Sequence, residues 1–247
     1  MIIKTKYHDG YLLRYWGSYY DAGKRPVNQD SALLLDIQTA ACQVCMCAVA
    51  DGLGGMDYGE VASGYIIEIL SSWFYSDLVN LLKRRGSLKA IWNSLYKILY
   101  RAHNELKEYG LKNGIKTGTT LSLLLCVGNK SLVVNQGDTA IYEINKKKRV
   151  RCLNPMIVKA DSKLSNCIGL GSIKNIYMKK IRIRKNTSYL ICSDGYYKML
   201  DISNMAAALH SQNIASNDSI NKILRTFGKK NEQMGEEDNM TAICLMF

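Results

Sequence analysis

Apolar residues along the chain fall into two rhythms. Short alternating or continuously apolar runs predict strands over residues 11–18, 31–37 and 43–50, with a polar loop over 21–26. Apolar residues three and four apart then predict two helices. The first spans residues 58–84. The second follows Ser87, whose hydroxyl suits an N-cap, and carries Leu88, Ile91, Trp92, Leu95, Leu99, Ala102 and Leu106 at helical spacing. The aromatic residues of this pair read as core, and residues 110–118 as a connecting loop. A strand-rich half comes next. Residues 120–127 and 131–135 flank the turn Gly128-Asn129-Lys130, and 140–144 and 150–153 flank a second turn over 145–149. Strands over 174–184 and 188–193 follow. Two short helices over 202–212 and 219–227, with Asp201 and Asp218 as N-caps, precede a closing apolar strand over 240–247.

Strands and helices come in blocks, not in strict alternation. This predicts an α+β layered fold in which antiparallel sheets carry helices on their outside. At 247 residues the chain can bury a full core. It has no internal repeat, no low-complexity linker and two prolines, so we read residues 1–247 as a single domain. Apolar residues make up 47% and charged residues 22%, the balance of a globular protein. No apolar run approaches the roughly 18 residues of a membrane span, and Met1-Ile2-Ile3-Lys4 opens no signal-peptide core. The eight cysteines lie mostly in apolar strand-like stretches, which predicts a reduced, cytoplasmic setting. Cys42, Cys45 and Cys47 resemble half a zinc site. No second Cys or His pair stands at ligand spacing, however, and strand alternation sends Cys42 and Cys45 to opposite faces.

The formal charge of +12 points to an anionic partner, either nucleic acid or acidic or phosphorylated protein. Small basic clusters occur at Lys83-Arg84-Arg85, 146–149 and 179–185. Aromatic residues do not interleave with them, so a solvated basic face is preferred to a nucleic-acid site.

The candidate chemistry is acidic. Asp51 stands where the apolar run 44–50 ends, and Asp51-Gly52-Leu53-Gly54-Gly55 gives the backbone freedom to turn tightly beside a ligand. Taken alone, an Asp-Gly pair is a turn. Four further carboxylates repeat the placement. Asp30 opens a strand, Asp138 lies between two, Asp194 ends one and precedes Gly195, and Asp238 comes just before the last. Gathered at one end of stacked sheets, these acids would supply oxygen ligands for hard divalent cations such as Mg²⁺ or Mn²⁺.

At these residues the chain resembles the metal-dependent serine/threonine protein phosphatases of type 2C, the PPM family, in a bacterial-like single-domain form. The ordered matches are Arg25 through Asp30, Val49 through Gly55, Gly59-Glu60-Val61-Ala62-Ser63, Gly118-Thr119-Thr120-Leu121, Gly137-Asp138, Cys192-Ser193-Asp194-Gly195 and Asp238-Asn239-Met240-Thr241. The resemblance implies a four-layer αββα sandwich of two antiparallel sheets flanked by helices, with two Mg²⁺ or Mn²⁺ ions at one end. It implies that Asp51 bridges the ions, that the Gly52 carbonyl binds one of them, and that Asp194 and Asp238 complete the protein ligands. Asp30 would act through metal-bound water, and Arg25 would bind the phosphate, its planar fork matching phosphomonoester oxygens. The implied activity is hydrolysis of phosphoserine and phosphothreonine in protein substrates, by a monomer opposed to a serine/threonine kinase. Such a substrate is near-dianionic, with a second pKa of about 6. Two metals about 3.5–4 Å apart screen that charge and bring a bridging water toward a pKa of ~7. His8, His103 and His210 lie outside the motifs, so none is an obvious general acid.

Four departures stand out. Gln29 sits where the family commonly has Glu. Lys198 sits where it usually has an Asp that, with Asp138 and Asp194, holds a third metal, so an ammonium there disfavours that ion. The segment between Leu153 and Gly169 is short for the family's flap, and Thr139-Ala140 replaces a frequent Ser-Arg. Two rival readings remain: a catalytically weak phosphatase-like module that binds and regulates phosphoproteins, and a metal-dependent nuclease using the basic face.

Overall fold

The computed structural model of the chain describes residues 13–53, 58–155, 167–173 and 175–247. Its strands form two five-stranded antiparallel sheets. One holds, in spatial order, β2 (Asp30–Gln38), β3 (Gln43–Asp51), β4 (Leu121–Val127), β5 (Lys130–Gln136) and β8 (Tyr177–Arg182). The other holds β1 (Tyr15–Asp21), β10 (Met240–Met246), β9 (Ser188–Cys192), β6 (Ala140–Ile144) and β7 (Val150–Cys152). Helix α1 (Gly59–Trp73) continues through a π-helical turn (Phe74–Leu78) into α2 (Val79–Lys83), and α3 (Leu88–Asn113) packs beside it. Helices α4 (Asp194–Tyr197), α5 (Ile202–Ala208) and α6 (Asn217–Gln233) belong to the second sheet's side. The layers are helix, sheet, sheet, helix, the αββα sandwich.

Three apolar cores hold the layers together, and strand alternation explains them. On β3, Val44, Met46 and Ala48 face the α1/α3 layer, whereas Cys45, Cys47 and Val49 enter the core between the sheets. A strand buried on both faces must be apolar throughout, which is why this run shows no polar alternation. Cys42 joins the helix-side core, away from Cys45 and Cys47, and the cysteines are free thiols. On α3, Ile91, Leu95, Leu99, Ala102 and Leu106 form the buried stripe. The third core packs Met205, Leu209, Ile220 and Leu224 onto β6, β9 and β10.

Several boundaries differ from the sequence-based expectation. Helix α3 does not stop at Gly110 but runs to Asn113, ending at Gly114 in the left-handed region (φ 66). At Gly110 a Cβ would lie 2.9 Å from the Ile115 carbonyl oxygen. The N-cap of α6 is Ser216, not Asp218: Ser216 and Ser219 cap each other reciprocally, so the helix starts at Asn217, and it runs on to Gln233, past 227. Helix α5 ends at Ala208, short of 212, where the Asn213 side chain donates to the Ala207 carbonyl at 2.7 Å. Asp201 does cap α5, accepting from the Ser203 and Asn204 amides. Strand β1 starts at Tyr15 and extends through Asp21 because it pairs with β10 from Met246 to Met240, and residues 11 and 12 of the expected run lie outside the described residues. The edge strand β8 is shorter than the run 174–184, having one neighbour instead of two.

Strand polarity then gathers the acids. The start of β2, the end of β3, the β5–β6 connection, the end of β9 and the start of β10 all lie at one pole. Register makes this specific: Asp30 pairs with Asp51, and Cys192 pairs with both Ala242 and Ala140.

Candidate active site

Asp51 is fixed by its backbone. Its amide donates to Thr120 Oγ1 at 3.0 Å, and its carbonyl accepts from the Thr120 amide at 2.8 Å and the Thr119 hydroxyl at 2.9 Å. Gly52 follows because any Cβ there would strike the Gly59 carbonyl at the entrance of α1. The Gly52 amide donates to the Gln29 carbonyl at 3.0 Å, tying the β3 end to the loop that carries Arg25 and Asp30. Ser63 in α1 donates to that same carbonyl at 2.6 Å, and this accounts for the Gly-Glu-Val-Ala-Ser motif. Residues 54–57 lie outside the described residues.

The other acids converge from both sheets. Asp51, Asp138 and Asp194 each offer a carboxylate oxygen within 4.8 Å of the others. Asp30 is buried beside Asp51, and one of its oxygens accepts from Ser193 Oγ at 2.8 Å. Asp238 sits at the rim, where the Arg25 Nε lies 3.1 Å from its Oδ1. Lys198 lies one turn beyond Asp194, with its ammonium 2.6 Å from Asp194 Oδ2. Gly195 permits the crowding of the Asp194 and Asp238 segments, since a Cβ there would strike the Asn239 carbonyl.

Five carboxylates so placed repel one another. Asp51 is held well above the usual carboxylate range, first by burial and then by the charges of Asp30, Asp194, Asp138 and Asp238. Burial, reinforced by neighbouring aspartates, lifts Asp30 and Asp138 to about 6. Arg25 and Lys198 are the side-chain cations paired with this cluster among the described residues. Two buried oxygens, Asp30 Oδ1 and Asp138 Oδ1, have no hydrogen-bond partner. Surplus carboxylates with unpartnered inward oxygens fit hard divalent cations.

Sequence reasoning gave no role to several supporting residues. Ser193 accepts from the Thr241 amide at 2.9 Å while donating to Asp30, so one hydroxyl links three strands. Asn239 accepts from the Gln29 amide at 2.8 Å and donates to the Ala22 and Val27 carbonyls, clamping the Arg25 loop. Tyr197 donates to the Asp138 carbonyl at 2.9 Å. The available signal was adjacency: each hydroxyl or amide stands within three residues of a candidate acid. Gln29 turns its amide to Glu60 Oε2 at 3.3 Å. His103 and His210 are spent elsewhere, on the Gly169 amide and the Lys146 carbonyl. His8 and most of the short flap lie outside the described residues.

A sandwich whose two sheets deliver acids to one pole, with oxygen donors in excess of cations, is a scaffold for binding divalent metal. The family model for protein phosphatase 2C matches residues 22–237, and the chain belongs to that family of serine/threonine protein phosphatases. Comparison with curated proteins gives no match. Among solved structures, the serine/threonine phosphatase Stp1 from Staphylococcus aureus is similar at 20% identity and a TM-score of 0.80, covering 100% of this chain and 99% of that one. PppA, a key regulatory component of T6SS in Pseudomonas aeruginosa, is similar at 21% identity and a TM-score of 0.75, covering 95% and 98%. The catalytic domain of the phosphatase PstP, in complex with two manganese ions, is similar at 20% identity and a TM-score of 0.73, covering 95% and 97%. These likenesses bear on the fold. No helix among the described residues is long and apolar enough to cross a membrane.

Proposed function

We propose that this phosphatase is a catalytically competent hydrolase of phosphoserine and phosphothreonine that works with two divalent ions, Mg²⁺ or Mn²⁺. The observation that carries the reading is the convergence of aspartates on one pole, where Asp51, Asp194 and Asp138 offer oxygens within 4.8 Å of one another and Asp238 sits at the rim. Asp51, Asp194, Asp238 and the Gly52 carbonyl would hold the ions, with Asp30 and Asp138 as neighbouring acceptors. When bound, the ions offset the charge of the phosphate dianion and lower the pKa of water for attack at phosphorus. The chain's own residues do the rest. Thr119 and Thr120 hold the Asp51 backbone in place. Ser193 orients Asp30, and Arg25 moves from Asp238 to the phosphate oxygens as substrate enters. The substrate is a phosphorylated protein opposed to a serine/threonine kinase, and the enzyme acts as a cytoplasmic monomer folded as one domain. Mn²⁺-dependent release of phosphate from an aryl phosphate tests the reading. Asp194→Asn is expected to lower kcat at least 10²-fold, and equal rates with and without Mn²⁺ would overturn it.

Lys198 sets the number of ions at two. Its ammonium already lies 2.6 Å from Asp194, where a third cation would share that carboxylate. Calorimetric titration of the wild type is expected to count two Mn²⁺ per chain, and Lys198→Asp to add a weaker third. A third ion in the wild type at millimolar Mn²⁺ would refute this. The same ion pair favours one second reading, a weak catalyst that binds and regulates phosphoproteins. Tight phosphopeptide binding without Mn²⁺-dependent turnover would select it.

A further inference from the structure

The pole opposite the acids is basic and concave. There the β6–β7 turn and the β8–β9 connection border a cavity of about 910 Å³. Lys146, Lys147, Arg149, Arg182, Arg184 and Lys185 line it, and among the described residues no acidic one does. None of the six makes an ion pair with another described residue. All six are exposed, while the cavity floor is made by buried Ile183 and Thr187. The backbones presenting them are tied down. Asn145 Oδ1 accepts from the Lys147 amide at 2.8 Å and the Arg149 amide at 3.2 Å, and His210 Nε2 lies 2.9 Å from the Lys146 carbonyl. Across the cavity, the Ile183 amide donates to the Asn129 carbonyl at 3.2 Å and the Asn186 amide to the Phe247 carbonyl at 2.7 Å. A fixed frame that collects six unneutralised cations, against an overall charge of +12, is a site for a multiply anionic ligand.

We propose that this basic pole docks an acidic, Asp/Glu-rich segment of the protein substrate while the phosphoresidue occupies the aspartate pole. The proposal rests on the phosphatase reading and names the kind of substrate it prefers. Charge complementarity selects the partner. Carboxylates suit Arg forks and Lys point charges alike. Single-stranded nucleic acid is disfavoured, because among the described residues no aromatic side chain lines the cavity for bases to stack on. The spacing is a further constraint. Strand β9 runs from the basic pole to the acidic one over five residues, about 17 Å at ~3.3 Å per residue. A tether skirting the surface therefore needs roughly ten or more extended residues between its acidic segment and its phosphoserine.

The test uses the full chain and a fluorescein-labelled dodecapeptide rich in Glu and carrying no phosphate, with binding read by anisotropy in EDTA. The triple variant Lys146→Glu, Arg184→Glu, Lys185→Glu is expected to weaken binding at least tenfold and to leave aryl-phosphate kcat/KM and melting temperature unchanged. For a phosphopeptide, an acidic cluster twelve residues from the phosphoserine should lower KM at least fivefold relative to a Gln-substituted control. The same cluster three residues away should not, and the triple variant should abolish the gain. Equal peptide binding by wild type and variant overturns the proposal, as does tighter binding of a single-stranded or duplex oligonucleotide than of the peptide. Loss of Mn²⁺-dependent aryl-phosphate hydrolysis with peptide binding intact would instead overturn the catalytic reading and leave the dock standing.

Discussion

His103 is buried, at 2% exposure, and its ring bonds to the backbone. Its Nδ1 accepts from the Gly169 amide at 3.1 Å, so protonation there would set one donor against another. Burial, and then the positive charge of Lys107, hold its imidazole below the ordinary value. The unfolded chain, with histidine near ~6.5, binds that proton more readily than the folded one. The stability from neutral His103 is therefore present above about 6.5 and lost as pH falls toward the folded value. In EDTA, lowering the pH from 7.5 to 5.5 should depress the melting temperature of the wild type about 2–4 °C more than that of His103→Gln, the equivalent of roughly one hydrogen bond. Parallel profiles would show the contact to be idle. The variant should keep its Mn²⁺-dependent phosphatase activity, since the ring touches none of the five aspartates. All five were legible as carboxylates at strand ends. The Arg25–Asp238 ion pair was not, because the two residues are 213 positions apart and only the closed sheets bring them together.

At the scale of elements, strands were read more faithfully than helix ends. The β3 and β4 runs are apolar on both faces, and nothing but a buried strand fits them at that length. Gly110 resembled a helix stop, yet a glycine inside a helix is tolerated where the exit path crowds it, and Gly114 supplies the left-handed stop. Asp218 resembled a cap, but Ser216 and Ser219 satisfy each other, a reciprocal arrangement that a single residue type does not announce. Gly195 tests how elements share the site. It lets the α4 entrance lie against the segment before β10, and an alanine would press on the Asn239 carbonyl and approach Asp238 Cβ at 3.1 Å. Gly195→Ala should cost about 1–3 kcal/mol, the range for overpacking, or a fall of roughly 3–10 °C in melting temperature. It should also weaken Mn²⁺ binding, because the strain separates Asp194 from Asp238. Unchanged melting and metal affinity would mean that the two segments do not depend on that close approach.

The molecule as a whole is electrically divided, and its stability should show the division. Although the net charge is +12, five carboxylates share one pole with two paired cations, while unneutralised cations gather at the other. Without metal, the acidic pole opposes folding: Asp51 and Asp30 hold their protons more tightly folded than unfolded, so metal-free stability falls as pH rises from about 4 through 6. Asp51 is the worst placed, with four aspartates acting on it. At pH 7.5 in EDTA, Asp51→Asn should therefore melt several degrees above the wild type, because the amide keeps the shape and removes the charge. Adding Mn²⁺ should reverse the order. At a hundredfold excess over its dissociation constant, each ion contributes about 2.7 kcal/mol to the wild type, roughly 5–10 °C at this chain length. Asp51→Asn should gain little. A wild type that melts above Asp51→Asn in EDTA, or that ignores Mn²⁺, would show that the aspartates stabilise the fold by themselves and are not assembled to hold ions.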